Sequence, residues 1–451
     1  MVLFHYLPSR MNSGQNNSMR NVVIIGNGIS GITAAVELRK RSQDHITIVS
    51  EEGDYFFSRP GLMYVYMGHL KFKHLYPYER DFWAKHQLQL IQKTVIKILP
   101  PAKQVVFADG TTLPFDVLIM ASGSMPNKFA WPGKDLPGVT GLYHRQDLDR
   151  LELWSAQAKH AVIVGGGLIG IELAEMFLSR NIRVTFLVRE KSFWDIVLPA
   201  GESQLLNRHI REHGLDLRLE TGLAAILPGE QGNVAAVETS DKEIIPCDLV
   251  GLAVGVSPNV NFLKESGITL GYGVQVNLYL ETNIPGIYAI GDCAEVTEPE
   301  GKHRPIEAVW YTGKMMGETV ARTISGQPTP YQPGPWFNSA KFLDIEYQTY
   351  GWVSPVPAAN EVHFYWEHRS GKKCINMAYD PSTRRFLGIN TLGIRLRHAF
   401  FDSVLRKGRH IEYVMEHLHE ANFDPEFYRL YEPEIRKAFV THLTKSAHHV
   451  Q

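Results

Sequence analysis

Two stretches of the chain follow the same pattern: a run of β-branched residues, a glycine-rich break, then an apolar-periodic segment. In the first, Val22-Val23-Ile24-Ile25 runs into Gly26-Asn27-Gly28-Ile29-Ser30-Gly31, and helical spacing continues over 32–41. In the second, Ala161-Val162-Ile163-Val164 runs into Gly165-Gly166-Gly167-Leu168-Ile169-Gly170. A short, unbroken apolar run suits a strand buried on both faces, so each is expected to be a parallel strand turning into a helix. Further strand-length runs fall at 45–49, 105–107, 113–119, 182–188, 249–254 and 287–290, and a helix is predicted over 306–322. The Pro-rich passage at 327–335 marks a boundary. Beyond it lie short aromatic strands and then helical segments. There Ile411, Val414, Met415 and Leu418 form the i, i+3, i+4, i+7 stripe of an amphipathic helix.

The spacing within each glycine turn has a physical meaning. The first glycine permits the turn, the second lets a pyrophosphate approach the backbone, and the third lets helix and strand pack closely. The helix N-terminus then offers unpaired N–H groups to phosphate. Two such units in one chain point to two dinucleotides. At the end of the second strand of the first unit, Glu51 stands where a carboxylate accepts hydrogen bonds from a ribose, with Glu52 as its neighbouring competitor. The same count from Gly165 falls on Val188, followed by Arg189. A valine cannot accept those bonds, and an arginine suits a 2′-phosphate, so NADPH is expected ahead of NADH. The alternative for Arg189 is a solvent-facing side chain or a pair with Glu190.

Composition narrows the class. The 451 residues carry a formal net charge of -1, so no whole-protein field favours nucleic acid or an anionic membrane. No apolar stretch approaches a transmembrane span. Cys247, Cys293 and Cys374 lie far apart without CxxC or zinc spacing, which fits a reducing cytoplasm. The Ser/Asn-rich first eighteen residues, with Arg10, loosely resemble a transit peptide, but a disordered tail is the favoured reading. His417 and His419 would diverge on a helix and His448-His449 sits in a terminal tail, so no metal is expected.

Several ordered motifs together resemble the two-dinucleotide-binding-domain flavoproteins, the pyridine nucleotide–disulfide oxidoreductase superfamily, over roughly residues 19–330. Ala121-Ser122-Gly123 is similar to the family's Ala-Thr-Gly motif beside the flavin. Ile287-Tyr288-Ala289-Ile290-Gly291-Asp292 is similar to its late flavin motif, whose aspartate binds the ribitol chain. Gly255 with Pro258-Asn259 resembles its Gly-x-x-Pro segment near the nicotinamide. Phe57-Ser58-Arg59-Pro60-Gly61-Leu62 resembles the Arg-Pro-Pro-Leu segment of ferredoxin and rubredoxin reductases and of apoptosis-inducing factor. Pro335-Trp336-Phe337-Asn338-Ser339 resembles the Pro-Trp-Phe-Trp-Ser entry to their third domain, with Asn338 in place of the second tryptophan. Near Tyr64 a familiar lysine is missing, and nothing after about Gly393 has a counterpart.

The resemblance implies an α/β fold: two Rossmann-like dinucleotide-binding domains, the FAD domain discontinuous, plus a C-terminal α+β domain. The expected division is a tail at 1–18, an FAD domain at 19–145 and 272–330, an NAD(P) domain at 146–271, and a C-terminal domain with a helical tail at 331–451. It assigns FAD to Gly26, Gly28, Ser30, Gly31, Glu51, Glu52, Arg59, Val95, Ala121, Ser122, Gly123, Gly291 and Asp292. It assigns the nicotinamide nucleotide to Gly165, Gly167, Leu168, Ile169, Gly170, Glu172, Arg189 and Gly255. Glu307, Ala308 and Trp310 open a helix directed at the flavin ring. No catalytic acid or base is implied, because the cofactors carry the chemistry.

The implied activity is an NAD(P)H-dependent FAD oxidoreductase passing electrons to an external acceptor, a ferredoxin-like acidic iron–sulfur protein. Arg395, Arg397, Arg406, Lys407 and Arg409 form a basic group suited to docking it. Two alternatives are a peripheral quinone reductase with its C-terminal helix on a membrane, and a redox-sensing interaction flavoprotein with slow turnover. Pro60 stands where related disulfide reductases carry a redox cysteine, so no disulfide reduction is expected. Oligomeric state, including a homodimer, stays open.

Overall fold

The computed structural model describes residues 19–448 apart from 425, 427 and 428. The expected N-terminal tail and His449 lie outside the described residues. Both β-branched runs become the central strands of five-stranded parallel sheets. The first sheet runs Ile287–Ala289, Val117–Met120, Asn21–Ile25, His45–Ser50, Leu88–Gln92. The second runs Asp216–Arg218, Arg183–Leu187, His160–Val164, Leu249–Leu252, Val139–Thr140. Val22 to Ile25 and Ala161 to Val164 are all buried, as a strand covered on both faces requires. Each unit also carries a three-stranded antiparallel sheet, at Val95–Leu99, Gln104–Phe107, Thr112–Pro114 and at Leu223–Pro228, Val234–Thr239, Ile244–Pro246.

The chain crosses between the two units twice, at the antiparallel pair Ser124–Pro126 and Val256–Pro258. The seam therefore differs from the boundaries expected at 145/146 and 271/272. Val139–Thr140 pairs with the Leu249–Leu252 strand and belongs to the second sheet. Leu263 and Ile268 pack in the first core, with Val260 against it. These short apolar segments follow the core that buries them, whatever their distance from a glycine turn.

The third region is a five-stranded antiparallel sheet in the order Phe337–Phe342, Ile345–Gly351, Phe386–Leu392, Cys374–Tyr379, Val362–Glu367. Helices His398–Arg406 and Ile411–Glu416 pack against it. Ile411, Val414, Met415 and Leu418 all sit in that core, although the helix stops at Glu416 and Leu418 opens a separate single turn. This burial takes the Ile411 stripe away from any membrane surface. Among the described residues no helix is long and apolar enough to cross a membrane. The helix predicted over 306–322 is Trp310–Ile324, because the chain through Val309 is extended (φ −132°, ψ 139°).

Candidate functional site

The two glycine turns share one backbone geometry. Gly26 has φ +112° and Gly165 φ +110°, in a region that side chains other than hydrogen rarely allow. A Cβ at Gly26 would stand 2.0 Å from the Ala121 carbonyl oxygen, and one at Gly165 would stand 2.4 Å from that of Ala253. Gly31 and Gly170 pack equally closely, against the carbonyls of Gly26 and Gly165. Gly28 and Gly167 face open space and cap helices Ile29–Arg39 and Leu168–Ser179 without any side-chain cap. The first N–H groups of both helices are thereby left for a ligand.

The first turn opens onto a cavity of about 640 Å³. Of the residues singled out from sequence, Gly26, Gly28, Ser30, Glu51, Glu52, Arg59, Val95, Ala121, Ser122, Gly123, Asp292, Ala308 and Trp310 line it. Ile169 and Glu172 reach the same cavity from the second unit, so it spans the seam. Glu51 lies exposed at the end of its strand, and its carboxylate has no partner among the described residues. Glu52 is already committed. Its carboxylate accepts two hydrogen bonds from Arg59, at 2.6 and 3.0 Å, and one from the Arg145 backbone N–H at 2.8 Å. Burial would raise the Glu52 carboxyl, but hydrogen bonds from His144 and Arg59 outweigh it and bring it down to about 2. Arg59 also donates to the Tyr143 carbonyl and lies over the Tyr143 ring at 4.7 Å. Arg59 is therefore tied to Glu52 and the Tyr143 carbonyl, whereas the Glu51 carboxylate is uncommitted among the described residues.

Asp292 sits across the cavity. Burial raises its carboxyl, opposed by a 2.6 Å hydrogen bond from Ser124 Oγ and by Arg59. The Tyr143 hydroxyl lies 3.2 Å from the Ser124 backbone nitrogen. Sequence reasoning missed Ser124, Tyr143 and His144, which line this cavity too. Ser124 directly follows Ala121-Ser122-Gly123 and could have been included, whereas no motif marks Tyr143 or His144. Asn259, read as part of a nicotinamide segment, also lines the cavity, and its carbonyl accepts a 2.8 Å bond from Ser122.

Other assigned residues lie elsewhere. Gly31 and Gly170 are hidden in helix–strand contacts, and Gly291 underlies Ser30. Gly165, Gly167 and Leu168 form the second turn, outside the first cavity, and Gly255 receives the Asn127 backbone N–H where the chain crosses. Arg189 is 82% exposed and pairs with Glu190 at 2.7 Å. Glu307 lies outside the cavity lining: its carboxylate meets His303 Nδ1 at 2.8 Å and the Arg304 backbone N–H at 3.3 Å. The late helix start explains this, since Glu307 lies in the extended segment and not on the first helical turn. Glu172 has no hydrogen-bond partner among the described residues, and burial, with Glu175 adding to it, pushes its carboxyl up to about 7.

Comparison with known proteins agrees with this geometry. The 5,5'-dehydrodivanillate O-demethylase ferredoxin reductase subunit of Sphingobium sp. strain SYK-6 is 32% identical over 334 residues, 73% of this chain and 81% of that protein. A ferredoxin–NAD(P)(+) reductase of a Sphingomonas species is 32% identical over 341 residues, again 73% and 81%. In the solved covalent putidaredoxin reductase–putidaredoxin complex, the matched chain shares the fold with a TM-score of 0.78 at 22% identity, over 86% of this chain and 93% of that one. Residues 20–317, which include both glycine turns and Asp292, match the model of the pyridine nucleotide-disulphide oxidoreductases. This chain belongs to that family.

Proposed function

We propose that the protein is an NAD(P)H-dependent FAD oxidoreductase that passes electrons to a small acidic iron–sulfur carrier, with NADPH as its preferred donor. The observation that carries this reading is the single cavity walled by both nucleotide units. Its residues fit FAD: the N–H groups after Gly28 suit the pyrophosphate, Glu51 the adenosine ribose, and Asp292 the ribitol chain. Its volume of about 640 Å³ suits a ligand of that class. FAD, when bound, supplies the exchange between a two-electron nicotinamide donor and a one-electron acceptor. The chain's own residues bind and align: Arg59 and Glu52 stiffen one wall, while Ile169 and Glu172 bring the second unit's helix to the other. Pro60 lines the same cavity, where the resemblance would place a redox thiol. The three cysteines are all buried, and burial pushes the Cys247 thiol up to about 12, which supports the absence of disulfide chemistry.

The relatives named as ferredoxin reductases support the carrier class. The third domain offers it a surface. Rings step outward from the cavity through Trp310, Tyr311, Phe337 and His398, with centroids 5.5, 4.7 and 4.4 Å apart. Beside His398, Arg397, Lys407 and Arg409 line a groove of about 580 Å³. The basic group expected from sequence is smaller than five, because Arg395 is paired with Glu346 and Arg406 with Asp402. Docking is therefore assigned to Arg397, Lys407 and Arg409.

The test is anaerobic reduction of the yellow protein by NADPH and by NADH, followed by turnover with a ferredoxin and with ferricyanide. NADPH should bleach the flavin at the lower concentration. A variant carrying Arg397→Glu and Lys407→Glu should slow ferredoxin reduction at low salt by roughly tenfold or more and leave ferricyanide reduction nearly unchanged. Equal loss with both acceptors would remove the docking assignment, and a colourless protein would remove the whole reading.

A further inference from the structure

The second unit meets the third domain through helix Ala200–Glu212, which leans against the antiparallel sheet. At the C-terminal end of this helix, His209 and its i+4 neighbour His213 share one face. The tight turn between strands Phe337–Phe342 and Ile345–Gly351 brings Asp344 to them. Asp344 Oδ1 lies 2.6 Å from His209 Nε2 and 3.2 Å from His213 Nε2. The three ligand atoms lie within 4.8 Å of one another. None of the three residues lines the cavity between the nucleotide units.

The cluster is held by ion pairs whose alignment is poor for hydrogen bonding. The His209 side chain is 1% exposed, yet neither of its ring nitrogens has a hydrogen bond of usable geometry, despite the close carboxylate. His213 Nδ1 donates to the His209 carbonyl at 2.9 Å. That bond fixes the ring so that its Nε2 turns to Asp344, the outer-contact pattern by which metal-binding histidines are oriented. One carboxylate oxygen thus faces two imidazole nitrogens. Protons on both Nε2 atoms would meet both contacts only with a second proton on the His213 ring, whose Nδ1 already donates to the His209 carbonyl, whereas a metal ion meets both with neutral rings.

We propose that His209, His213 and Asp344 form a binding site for a divalent cation of the zinc class, which clamps the second unit to the third domain. Two imidazoles and a carboxylate suit a borderline cation, with the fourth position left to water. Tetrahedral ligands about 2.0–2.1 Å from zinc stand roughly 3.3 Å apart, so on binding the His209–Asp344 contact opens by less than about 1 Å and the two imidazole nitrogens, within 4.8 Å of each other, close by up to about 1.5 Å. Asp344 is exposed on a turn and His213 is part-exposed at the helix end, so these two side chains adjust, and Asp344 leaves an entry path from solvent. Lys372 Nζ lies 3.8 Å from the other carboxylate oxygen, Oδ2. It competes for Asp344 and is half-exposed, so it withdraws when the cation arrives.

The experiment uses the full-length, untagged, flavin-loaded protein after chelator treatment, titrated with zinc by calorimetry and with cobalt(II) by visible absorption. One tight equivalent is expected, with the intense visible bands of tetrahedral cobalt and a rise in thermal midpoint. His213→Ala and Asp344→Asn should each weaken binding on the order of a hundredfold, while Lys372→Ala binds at least as tightly. Both ligand variants change side chains that reach solvent, and circular dichroism and the flavin spectrum check that they remain folded. Zinc affinity equal in the variants would place binding on other histidines and overturn the proposal. Should the variants lose their fold, the wild-type cobalt spectrum decides: weak octahedral bands, or none, overturn it equally.

Discussion

At Gly26 and at Gly165 the chain makes the same turn, with φ near +110° and a carbonyl oxygen pressed where a side chain would begin. What surrounds the two turns differs. The first opens onto the large cavity, with an exposed glutamate at the end of the neighbouring strand. In the second, a Cβ at Gly166 would meet Val188 and Phe193, and the strand end offers Arg189 where the first offers an acid. The shared backbone offers what a pyrophosphate needs, N–H groups and close approach. The strand ends are where the two units part, with an exposed acid in one and Arg189 in the other. The second unit also carries the attachment to the third domain, through Glu202, Gly201 and Arg208 on one helix.

The comparison breaks most sharply at the glycines. Gly26→Ala places a Cβ against the Ala121 carbonyl at a strained φ, and is expected to destabilise the protein by about 2–5 kcal/mol and yield colourless material. Gly165→Ala faces the same clash in the other unit. It should keep its flavin absorbance and lose reduction by NADPH. Equal loss of flavin from both variants would mean that the two turns do not serve separate ligands.

The attachment of the second unit is tested by Glu202, whose side chain is fully buried. Its Oε2 accepts a 3.0 Å hydrogen bond from Asn390, and Oε1 has no partner. Burial, opposed by Asn390 and Asn376, pushes its carboxyl up to about 8, from 4.5 in an ordinary setting. Below pH 4.5 both folded and unfolded chains hold the proton. Between 4.5 and 8 only the folded chain does, so stability falls as pH rises, at about 1.4 kcal/mol per unit at most. Glu202→Gln removes this penalty. It should be more stable than wild type by a few kcal/mol near pH 8, and equal to it near pH 4, in urea denaturation at the two values. A difference independent of pH would show that Glu202 is ionised in the fold.

Much of this was legible in the chain. The glycine positions read directly because only glycine fits the backbone there, and the strands read directly because both of their faces are buried. Glu52 and Arg59 were each legible as cavity residues, but their mutual pairing was not, since it depends on how the loop between them folds. Tyr143 and His144 arrive on a connector with no motif, placed by packing alone. Glu307 lies off the cavity lining because the helix expected to carry it begins three residues later, at Trp310. His209 and His213 had readable spacing, yet Asp344 joins them only when the third domain docks.

Arg189 tests the strand-end side of the comparison. In the structure it pairs with Glu190, but an exposed ion pair of this kind is worth only about 0–1 kcal/mol. A charge-assisted contact to a 2′-phosphate is worth about 1.5–3 kcal/mol, so under the proposed NADPH preference the phosphate would outcompete Glu190. Arg189→Ala should raise the Michaelis constant for NADPH roughly ten- to a hundredfold and leave that for NADH nearly unchanged. If both constants move together, or neither moves, the specificity lies elsewhere.

The smallest expected effect lies where the two units meet. Glu172 stands on the second unit's first helix and faces the cavity of the first, with its carboxyl raised to about 7 by burial and by Glu175. Below pH 7 it is neutral, and above it is an anion. An oxidised nicotinamide ring held against this wall is cationic, whereas the reduced ring is not. Binding of NADP+ should therefore tighten as pH rises through about 7, and NADPH binding should change little. A partly exposed charge pair is worth about 1 kcal/mol, so the inhibition constant of NADP+ falls roughly fivefold across the transition. In Glu172→Gln the slope should vanish. A slope that persists in the glutamine variant, or one of opposite sign in wild type, would show that Glu172 does not face the nicotinamide.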